Sequence, residues 1–299
     1  MSLIQLPARE ESAPAEKVTA QTLLDRKQAR QPITALTAYD YPTARLVDQA
    51  GIDVILVGDS LGMAVLGYES TLPVTMEEML QPTRAVRRGV RRALLVADMP
   101  FGSYHASTEQ AINNATRFIK EAGAEAVKIE GGRNRAALVA ALAQAEIAVV
   151  GHIGLTPQSV HRLGYRVQGK SAAAIDGLLA DALALESAGA IAIVLECVPR
   201  EVGGQITAAL AIPTIGIGAG PECDGQILVF HDLVNLTGAT PAKFVRRYAD
   251  ASALFSEAIR HYASDVRGSA FPADAECYHL PGEAGAELLS REPLQRSRR

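Results

Sequence analysis

The sequence contains no tryptophan and only three cysteines among 299 residues, and aromatic residues make up 5%. The cysteines, Cys197, Cys223 and Cys277, are far apart and form no CxxC pair. Their odd number and long spacing argue against a disulfide framework and against a cysteine-ligated zinc site, and they are typical of a reducing compartment. We therefore expect a cytoplasmic protein whose core is built mainly from small and aliphatic side chains.

Long apolar runs and a strong excess of one charge are also missing. No run approaches the roughly 20 apolar residues that a membrane-spanning helix needs, and MSLIQLPAREESAPAEK carries acidic residues where a signal peptide would be apolar. The 29 basic residues nearly balance the 33 acidic ones. This balance argues against a nucleic-acid or anionic membrane partner, because such surfaces attract strongly basic proteins. We expect neither partner.

The two ends of the chain differ in composition from the rest. Residues 1–17 are polar and rich in proline, alanine and glutamate, which predicts a mobile N-terminal tail. Residues 281–299 predict a second weakly ordered extension. Between them, we expect one domain over residues 18–280 that includes C-terminal helices.

Eight short apolar runs recur along this domain, and most are apolar throughout rather than alternating, as expected of strands buried on both faces. Segments with helical signals separate them, such as the capping-box pattern from Thr75 to Glu78 and the start at Ser107 of a helix that ends at Gly123. The competing architecture is a doubly wound open sheet, but eight strand–helix repeats favour a (β/α)₈ TIM barrel of the α/β class. The runs are ITALTA (33–38), VILVGD (54–59), ALLVADM (93–99), AVKIEG (126–131), AVVGHI (148–153), AIVLEC (192–197), TIGIGA (214–219) and QILVFH (226–231).

Charged and polar residues stand at or near the ends of the second to sixth predicted strands. In a barrel the carboxyl ends of all strands meet at one mouth, where active sites form. The sequence therefore predicts one cavity that holds several carboxylates, a lysine and a histidine. These residues are Asp59, Ser60, Asp98, Lys128, Glu130, His152 and Glu196.

Each of these residues also has an ordinary structural interpretation. An aspartate after a strand often caps a helix or stabilises a turn, which applies to Asp59 and Asp98. Lys128 and Glu130 are two residues apart, so they would face the same side and could form an internal ion pair. His152 could be a core histidine, and Glu196 could cap the next helix. These interpretations weaken together, because four consecutive strands would each need an incidental charge at the same end.

A divalent cation would resolve the repulsion between clustered, buried carboxylates. The available ligands are oxygens, so Mg²⁺ is favoured over Zn²⁺. Asp59 and Asp98 are the best direct ligands, and Glu130 is the expected third, directly or through water. An ion with open positions could bind a 2-oxo acid and stabilise its enolate, and Glu196 is free to remove the proton. The glycine-rich segment 151–170 predicts a long loop of the kind that covers active sites.

Long stretches of the sequence resemble the 3-methyl-2-oxobutanoate hydroxymethyltransferase, or ketopantoate hydroxymethyltransferase, family. The similarity covers about residues 18–272. It implies a barrel of the phosphoenolpyruvate/pyruvate-type superfamily, Mg²⁺, and a homo-oligomer that assembles as a decamer. The stretches are TAYDYPTA (37–44), VGDSLGM (57–63), STLPVTMEEM (70–79), ADMPFGSY (97–104), VKIEGG (127–132), GHIGLTPQSV (151–160), ALALESAGA (182–190), LECVP (195–199) and IPTIGIGAGPECDGQILV (212–229).

The resemblance also implies an activity. Enzymes of this family transfer a hydroxymethyl group from 5,10-methylenetetrahydrofolate to 2-oxoisovalerate, and they form 2-dehydropantoate in pantothenate biosynthesis. The family's metal-binding aspartates match Asp59 and Asp98, and its third metal carboxylate matches Glu130. We expect both aspartates to contact the oxo acid as well, with the ion stabilising the enolate.

The remaining site residues follow from the same resemblance. The family's contacts to the oxo acid match Ser60 and Lys128, and its catalytic base matches Glu196. His152 falls on an active-site histidine of the family and is expected to bind substrate. Two other functions stay open: a carbon–carbon lyase or phosphonomutase-like enzyme of the same superfamily that uses no folate, and a metal-binding assembly protein without catalysis.

Overall fold

The computed structural model describes residues 16–290, and it divides into two compact units, residues 16–249 and 250–290. The first unit contains eight parallel strands that close into a barrel in chain order, β1 to β8. The eight strands fall where the apolar runs predicted them, so the barrel prediction is confirmed. The strands are β1 (Ile33–Thr37), β2 (Val54–Val57), β3 (Leu94–Asp98), β4 (Ala126–Glu130), β5 (Val149–Gly154), β6 (Ala192–Glu196), β7 (Thr214–Ile217) and β8 (Gly225–Leu228).

Helices connect the strands and cover the outside of the barrel. Within the described residues, none of them is long and apolar enough to cross a membrane. The helices of the first unit are α1 (Ala20–Gln28), α2 (Tyr41–Gln49), α3 (Leu61–Ala64), α4 (Met76–Gly89), α5 (Thr108–Ala122), α6 (Ala136–Gln144), α7 (Val160–Leu163), α8 (Ala172–Ser187), α9 (Arg200–Ala209) and α10 (Phe230–Leu233).

The predicted helix boundaries have the expected local chemistry. The Thr75 side chain accepts from the Glu78 backbone N–H, and the Glu78 carboxylate accepts from the Thr75 backbone N–H, so α4 begins with a capping box. Ser107 caps α5 through the Gln110 backbone N–H. The same helix ends at Gly123, whose φ of 74° is in the left-handed region.

Two apolar layers form the core of the barrel unit. One fills the barrel interior with side chains from all eight strands, and Leu23 of α1 joins it from the N-terminal end. The other lies between the strands and the surrounding helices and contains Phe118 and Met79. Because side chains alternate along a strand, a residue two positions after an interior apolar residue also points inward. This alternation decides which polar residues enter the mouth.

The second unit begins with α11 (Ala251–Arg267), whose N-terminus is capped by the Asp250 side chain. This helix lies in the part of the chain where C-terminal helices were predicted. A short helix, α12 (Gly282–Leu289), lies within the predicted C-terminal extension. The predicted domain limits of 18 and 280 stay predictions, and most of the predicted N-terminal tail, as well as residues 291–299, lies outside the described residues.

The segment predicted as a long loop over 151–170 is only partly irregular. Its first residues complete β5, and residues 160–163 form α7. The irregular part lies on either side of this short helix. We refer to residues 155–171, between β5 and α8, as the β5–α8 connection.

Candidate active site

Strand register brings the predicted charges together at the carboxyl ends of the strands. Asp98 is the register partner of Lys128, and Glu130 is the partner of His152. Leu94 and Val96 lie in the interior layer, so Asp98 continues the inward-facing side of β3. Neighbouring residues in register point to the same face of a sheet. The side chains of these strand ends therefore lie together above the apolar interior.

Asp59 joins this group from the turn that follows β2. Its backbone N–H donates to Asp98 Oδ2 at 3.2 Å, and its Oδ2 accepts from the Gln158 side chain at 2.9 Å. The next helix begins at Leu61, and Ser60 at its N-cap position makes no side-chain cap bond. Capping therefore does not explain Asp59, and its carboxylate points into the cluster.

The hydroxyl of Ser60 contacts a second buried side chain. Ser60 Oγ lies 2.7 Å from the hydroxyl of Tyr39, which follows β1. Tyr39 is buried, and it was not among the residues predicted to form the site. Its contact fixes the direction in which Ser60 can donate or accept a hydrogen bond.

Lys128 is the cation at the centre of the cluster. Its Nζ lies 2.8 Å from Asp98 Oδ1 and 3.9 Å from Glu130 Oε1. Burial alone would lower the pKa of Lys128, but the charges of Asp98, Glu130 and Asp59 outweigh it and raise the pKa. The internal ion pair considered for Lys128 and Glu130 is therefore present, but its 3.9 Å distance is longer than the 2.8 Å distance between Lys128 and Asp98.

His152 lies between two carboxylates. Its Nδ1 is 3.3 Å from Glu130 Oε1 and also 3.3 Å from Lys128 Nζ, while Nε2 is 3.1 Å from Glu196 Oε2. Burial and the charge of Lys128 disfavour a protonated ring, but Glu130 and Glu196 raise the pKa of His152 to about 9. We therefore assign a protonated ring at neutral pH that faces both glutamates, in preference to a neutral ring accepting from Lys128.

Glu196 is the most accessible of the strand-end carboxylates. Its side chain is 16% exposed, compared with 2% for Asp98 and 3% for Glu130. Capping does not explain its position, because the next helix has Pro199 at its N-cap and no side-chain cap bond. A carboxylate at the rim can reach a substrate that the deeper carboxylates bind.

The donor set fits a hard divalent cation. Burial and the charges of Asp98 and Glu130 raise the pKa of Asp59 well above its ordinary value. Among the residues described, the buried oxygens Asp98 Oδ1 and Glu130 Oε1 accept no hydrogen bond of good geometry. Each of these oxygens has a basic neighbour, Lys128 Nζ for Asp98 and His152 Nδ1 for Glu130, so a cation would share them with those groups. However, no three acidic, histidine or cysteine side chains in residues 16–290 are close enough to hold an ion alone, so water or substrate would have to complete its coordination.

Sequence reasoning missed two residues that connect these carboxylates, Tyr104 and Gln158. The Tyr104 hydroxyl donates to Gln158 Oε1 at 2.6 Å, and the Gln158 backbone N–H donates to Glu130 Oε2 at 2.9 Å. Both are uncharged and lie between the strands and the helices that follow them, so a search for charges at strand ends could not find them. Tyr104 and Gln158 do fall in ADMPFGSY and GHIGLTPQSV, two of the long stretches that resemble the family. The length of these stretches was the only signal in the sequence that could have pointed to the two residues.

A cleft of about 890 Å³ opens beside the cluster. Glu130 and Gln158 lie on its inner wall, and its outer wall carries arginines and aromatic side chains. Arg133 pairs with Asp181 at 2.8 Å, whereas Arg135 lies over the Tyr104 ring at 5.1 Å. The cleft is large enough for a second substrate next to the carboxylates.

Solved structures with low sequence identity share the fold. A phosphoenolpyruvate phosphomutase from Streptomyces platensis subsp. rosaceus matches with a TM-score of 0.59 and 18% identity, over 90% of this chain and 94% of that one. A 2,3-dimethylmalate lyase, a member of the PEP mutase/isocitrate lyase superfamily, matches with a TM-score of 0.56 and 16% identity, over 93% and 96%. At this identity the matches establish the barrel architecture alone.

Sequence comparison identifies the family. Residues 17–274 match the family model of ketopantoate hydroxymethyltransferase. A 3-methyl-2-oxobutanoate hydroxymethyltransferase from Koribacter versatilis is 64% identical over 91% of this chain and 92% of its own length. One from Carboxydothermus hydrogenoformans is 55% identical over 90% and 98%. The chain therefore belongs to the ketopantoate hydroxymethyltransferase family, and it is an enzyme of the transferase class.

Proposed function

We propose that this enzyme transfers a hydroxymethyl group from 5,10-methylenetetrahydrofolate to 2-oxoisovalerate (3-methyl-2-oxobutanoate). The product would be 2-dehydropantoate, in pantothenate biosynthesis. The observation that carries the proposal is the cluster at the barrel mouth, in which the buried carboxylates lie around Lys128 and His152 and the Glu196 carboxylate lies at the rim. The names of the relatives support the same reaction.

In this proposal Asp59 and Asp98 hold Mg²⁺, and Glu130 supports it directly or through water. When bound, Mg²⁺ would supply Lewis-acid stabilisation of the negative charge that develops on the oxo acid when its C3 proton is removed. The two aspartates lie next to each other, since the Asp59 backbone N–H donates to the Asp98 carboxylate. This proximity supports their assignment as a pair.

The substrate would be held by the side chains that surround this pair. Lys128 offers a buried positive charge for the anionic oxygens of the oxo acid, and Ser60 offers a hydroxyl whose direction Tyr39 constrains. His152 lies between Glu130 and Glu196, where it would hold both carboxylates in place and contact the substrate. The oxo acid would therefore bind with its reactive carbon towards the rim.

Glu196 would remove the proton from C3 of the oxo acid. It is the strand-end carboxylate with the greatest exposure, which supports a role at the substrate rather than at the ion. The methylene–N10 bond would open to an iminium at N5, with the proton taken from C3 ending on N10, and the carbanion would attack the methylene carbon to form the carbon–carbon bond. Water would then replace N5 on that carbon, its hydroxyl completing the hydroxymethyl group and its proton going to N5, so that tetrahydrofolate leaves.

The second substrate would bind in the neighbouring cleft. A folate has flat aromatic parts and an anionic glutamate end, and the cleft combines Phe101 and Tyr104 with Arg133, Arg135 and Arg162. It opens next to Glu130, so a bound folate would reach the carboxylate cluster. This arrangement supports a two-substrate transfer.

The decisive experiment measures product from 2-oxoisovalerate and 5,10-methylenetetrahydrofolate, with and without Mg²⁺. We expect 2-dehydropantoate only when all three are present. Cleavage of an oxo acid in the absence of folate would instead favour a lyase or phosphonomutase-like reaction. No turnover under any condition would favour a non-catalytic protein.

We further propose that the enzyme works as a cytoplasmic homo-oligomer, a decamer. Helix α11 presents a row of exposed apolar side chains, Leu254, Phe255, Ile259, Tyr262 and Val266. Exposed apolar patches of this kind mark protein–protein interfaces. Light scattering of the purified chain tests this, since a monomer in solution would contradict it.

A further inference from the structure

Gln158 occupies an unusual position for an uncharged side chain, because it is buried among the acidic groups. It lies in a single turn of 3₁₀ helix, Pro157–Ser159, at the start of the β5–α8 connection, and it is 5% exposed. Its Nε2 donates to Asp59 Oδ2 at 2.9 Å and to the Met99 carbonyl at 3.0 Å. One amide group therefore joins the ends of β2 and β3 to the segment after β5.

The hydrogen bonds around Gln158 and Tyr104 form a closed ring. The Glu130 backbone N–H donates to the Tyr104 hydroxyl at 3.2 Å, and this hydroxyl donates to Gln158 Oε1 at 2.6 Å. The Gln158 backbone N–H returns to Glu130 Oε2 at 2.9 Å. Only one orientation of the amide satisfies every bond, because Nε2 faces two acceptors and Oε1 faces a donor.

Tyr104 is itself held firmly. It is 2% exposed, and the guanidinium of Arg135 lies 5.1 Å from the centre of its ring. Its hydroxyl lies between one donor and one acceptor, since it accepts from the Glu130 backbone N–H and donates to Gln158 Oε1. Tyr104 therefore fixes the orientation of the Gln158 amide.

We propose that Gln158 is a positioning residue that holds Asp59 and Glu130 in the arrangement needed to bind Mg²⁺ and the oxo acid, and that Tyr104 acts through it. This inference rests on the proposed function, because it assigns both carboxylates to the ion. Neither residue needs to touch the oxo acid. Hydrogen-bonded partners of metal ligands orient those ligands, and their loss commonly weakens metal binding by roughly 10- to 100-fold.

The physical reason for such a residue is the repulsion within the cluster. Asp59, Asp98 and Glu130 are buried together, and Lys128 lies closest to Asp98. Without an opposing contact, Asp59 would move away from Asp98 and Glu130. Gln158 is a neutral donor that can hold two carboxylates, Asp59 through its side-chain amide and Glu130 through its backbone N–H, without adding a charge that would compete with the ion.

The test compares Gln158→Met, Tyr104→Phe and the double variant with the unchanged protein. Methionine keeps the length of the side chain and removes the bonds of the amide to Asp59, Met99 and Tyr104, while the backbone N–H bond to Glu130 remains. Calorimetry gives the dissociation constant of Mg²⁺, and steady-state assays give KM for 2-oxoisovalerate and kcat. We expect Gln158→Met to weaken Mg²⁺ binding by about tenfold, to raise KM and to lower kcat.

Tyr104→Phe should weaken Mg²⁺ binding less, because the hydrogen bonds from Gln158 Nε2 to Asp59 and Met99 remain. The Mg²⁺ dissociation constant of the double variant should lie within about twofold of that of Gln158→Met, because Tyr104 acts through Gln158. The matched control is Thr214→Val, which removes an equally buried hydrogen-bonding group at the opposite end of the barrel. It should lower thermal stability without changing the Mg²⁺ dissociation constant.

The outcomes separate this inference from the proposed function. If the unchanged protein binds Mg²⁺ and Gln158→Met binds it equally well with unaltered KM, the positioning role is wrong and the proposed function stands. The same conclusion follows if Thr214→Val weakens Mg²⁺ binding as much as Gln158→Met, because the effect would then be one of general stability. If the unchanged protein binds no Mg²⁺, both are wrong.

Discussion

Both ends of the barrel contain buried carboxylates, but the contacts that these carboxylates make are different. Asp53 at the N-terminal end and Glu130 at the C-terminal mouth both have side chains that are 3% exposed. Each Asp53 oxygen has partners within the chain, whereas Glu130 Oε1 accepts no hydrogen bond of good geometry within the described residues. Burial is therefore the same, and the difference is that both Asp53 oxygens accept well-aligned hydrogen bonds, whereas Glu130 Oε1 merely faces His152 Nδ1 at 3.3 Å.

The N-terminal end contains charges that stabilise the fold. Asp53 Oδ2 accepts from the backbone and side chain of Thr34, and Oδ1 pairs with Arg92 and Arg26. Asp48 accepts from the backbone N–H groups that lead into β3. At the mouth, by contrast, Asp59, Asp98, Glu130 and Glu196 lie around two basic side chains, Lys128 and His152. This difference between the two ends is typical of barrel enzymes, in which the N-terminal end contributes stability and the C-terminal end forms the active site.

The largest expected effect is on catalysis at the mouth. Glu196→Gln removes the proposed base and keeps its size, so we expect kcat to fall by ~10²- to 10⁴-fold with little change in the free energy of unfolding. The measurement is exchange of the C3 proton of 2-oxoisovalerate into deuterated water, with Mg²⁺ and without folate. Exchange at the full rate would remove Glu196 from this role.

The next effect concerns the ion. Asp59→Asn should weaken Mg²⁺ binding by about 100-fold or more, because a proposed direct ligand loses its charge. The same change removes repulsion from a buried cluster, so it should stabilise the metal-free protein by about 1 kcal/mol. Calorimetry and chemical denaturation measure the two quantities, and an unchanged dissociation constant would contradict the ligand assignment.

A substitution at the N-terminal end of the barrel should lower stability and leave Mg²⁺ binding unchanged. Asp53→Ala removes the carboxylate that pairs with Arg26 and Arg92 and accepts from Thr34, so the free energy of unfolding should fall by about 2 kcal/mol. Mg²⁺ binding and kcat should not change, since the site lies at the opposite end of the barrel. Denaturation with urea gives the first result, and a loss of Mg²⁺ affinity would show that the two ends are not independent.

The dependence of stability on pH should sharpen this comparison. Burial opposes ionisation of Asp53, but hydrogen bonds from Thr34 and Arg92 and the charge of Arg26 outweigh it, so its pKa is lowered on folding. Its contribution is therefore complete above the unfolded pKa of about 4 and is lost as the pH falls through the lower folded value. The difference in unfolding free energy between the unchanged protein and Asp53→Asn should shrink as the pH is lowered from about 5 to about 3. A constant difference would show that Asp53 does not titrate as described.

The smallest effect should come from a helix cap near the mouth. Thr75→Ala removes the side-chain acceptor at the start of α4 and should cost about 1 kcal/mol of stability. Mg²⁺ binding should remain unchanged, because Thr75 contacts only Glu78 of its own helix through this cap. A change in Mg²⁺ affinity would mean that stability at this end cannot be separated from the site.

Much of the site was predictable because it follows strand periodicity. Five residues of the site belong to strands that were recognisable from their apolar runs, and the alternation of side chains along each strand turns these residues inward. They are Asp98, Lys128, Glu130, His152 and Glu196. Their pairing was less predictable. Lys128 and Glu130 are close in sequence, yet the closer partner of Lys128 is Asp98, because the register between β3 and β4 places these two residues side by side.

The sequence by itself determined the eight strands, their order and the end of the barrel at which the charges gather, because buried parallel strands require apolar runs and their carboxyl ends meet at one mouth. The tertiary structure alone decided which charges are satisfied. Gln158 reaches Asp59 across 99 positions of chain, and Tyr104 reaches Gln158 across 54. Such contacts depend on the closure of the barrel and on the path of the loops, which no local pattern of residues specifies.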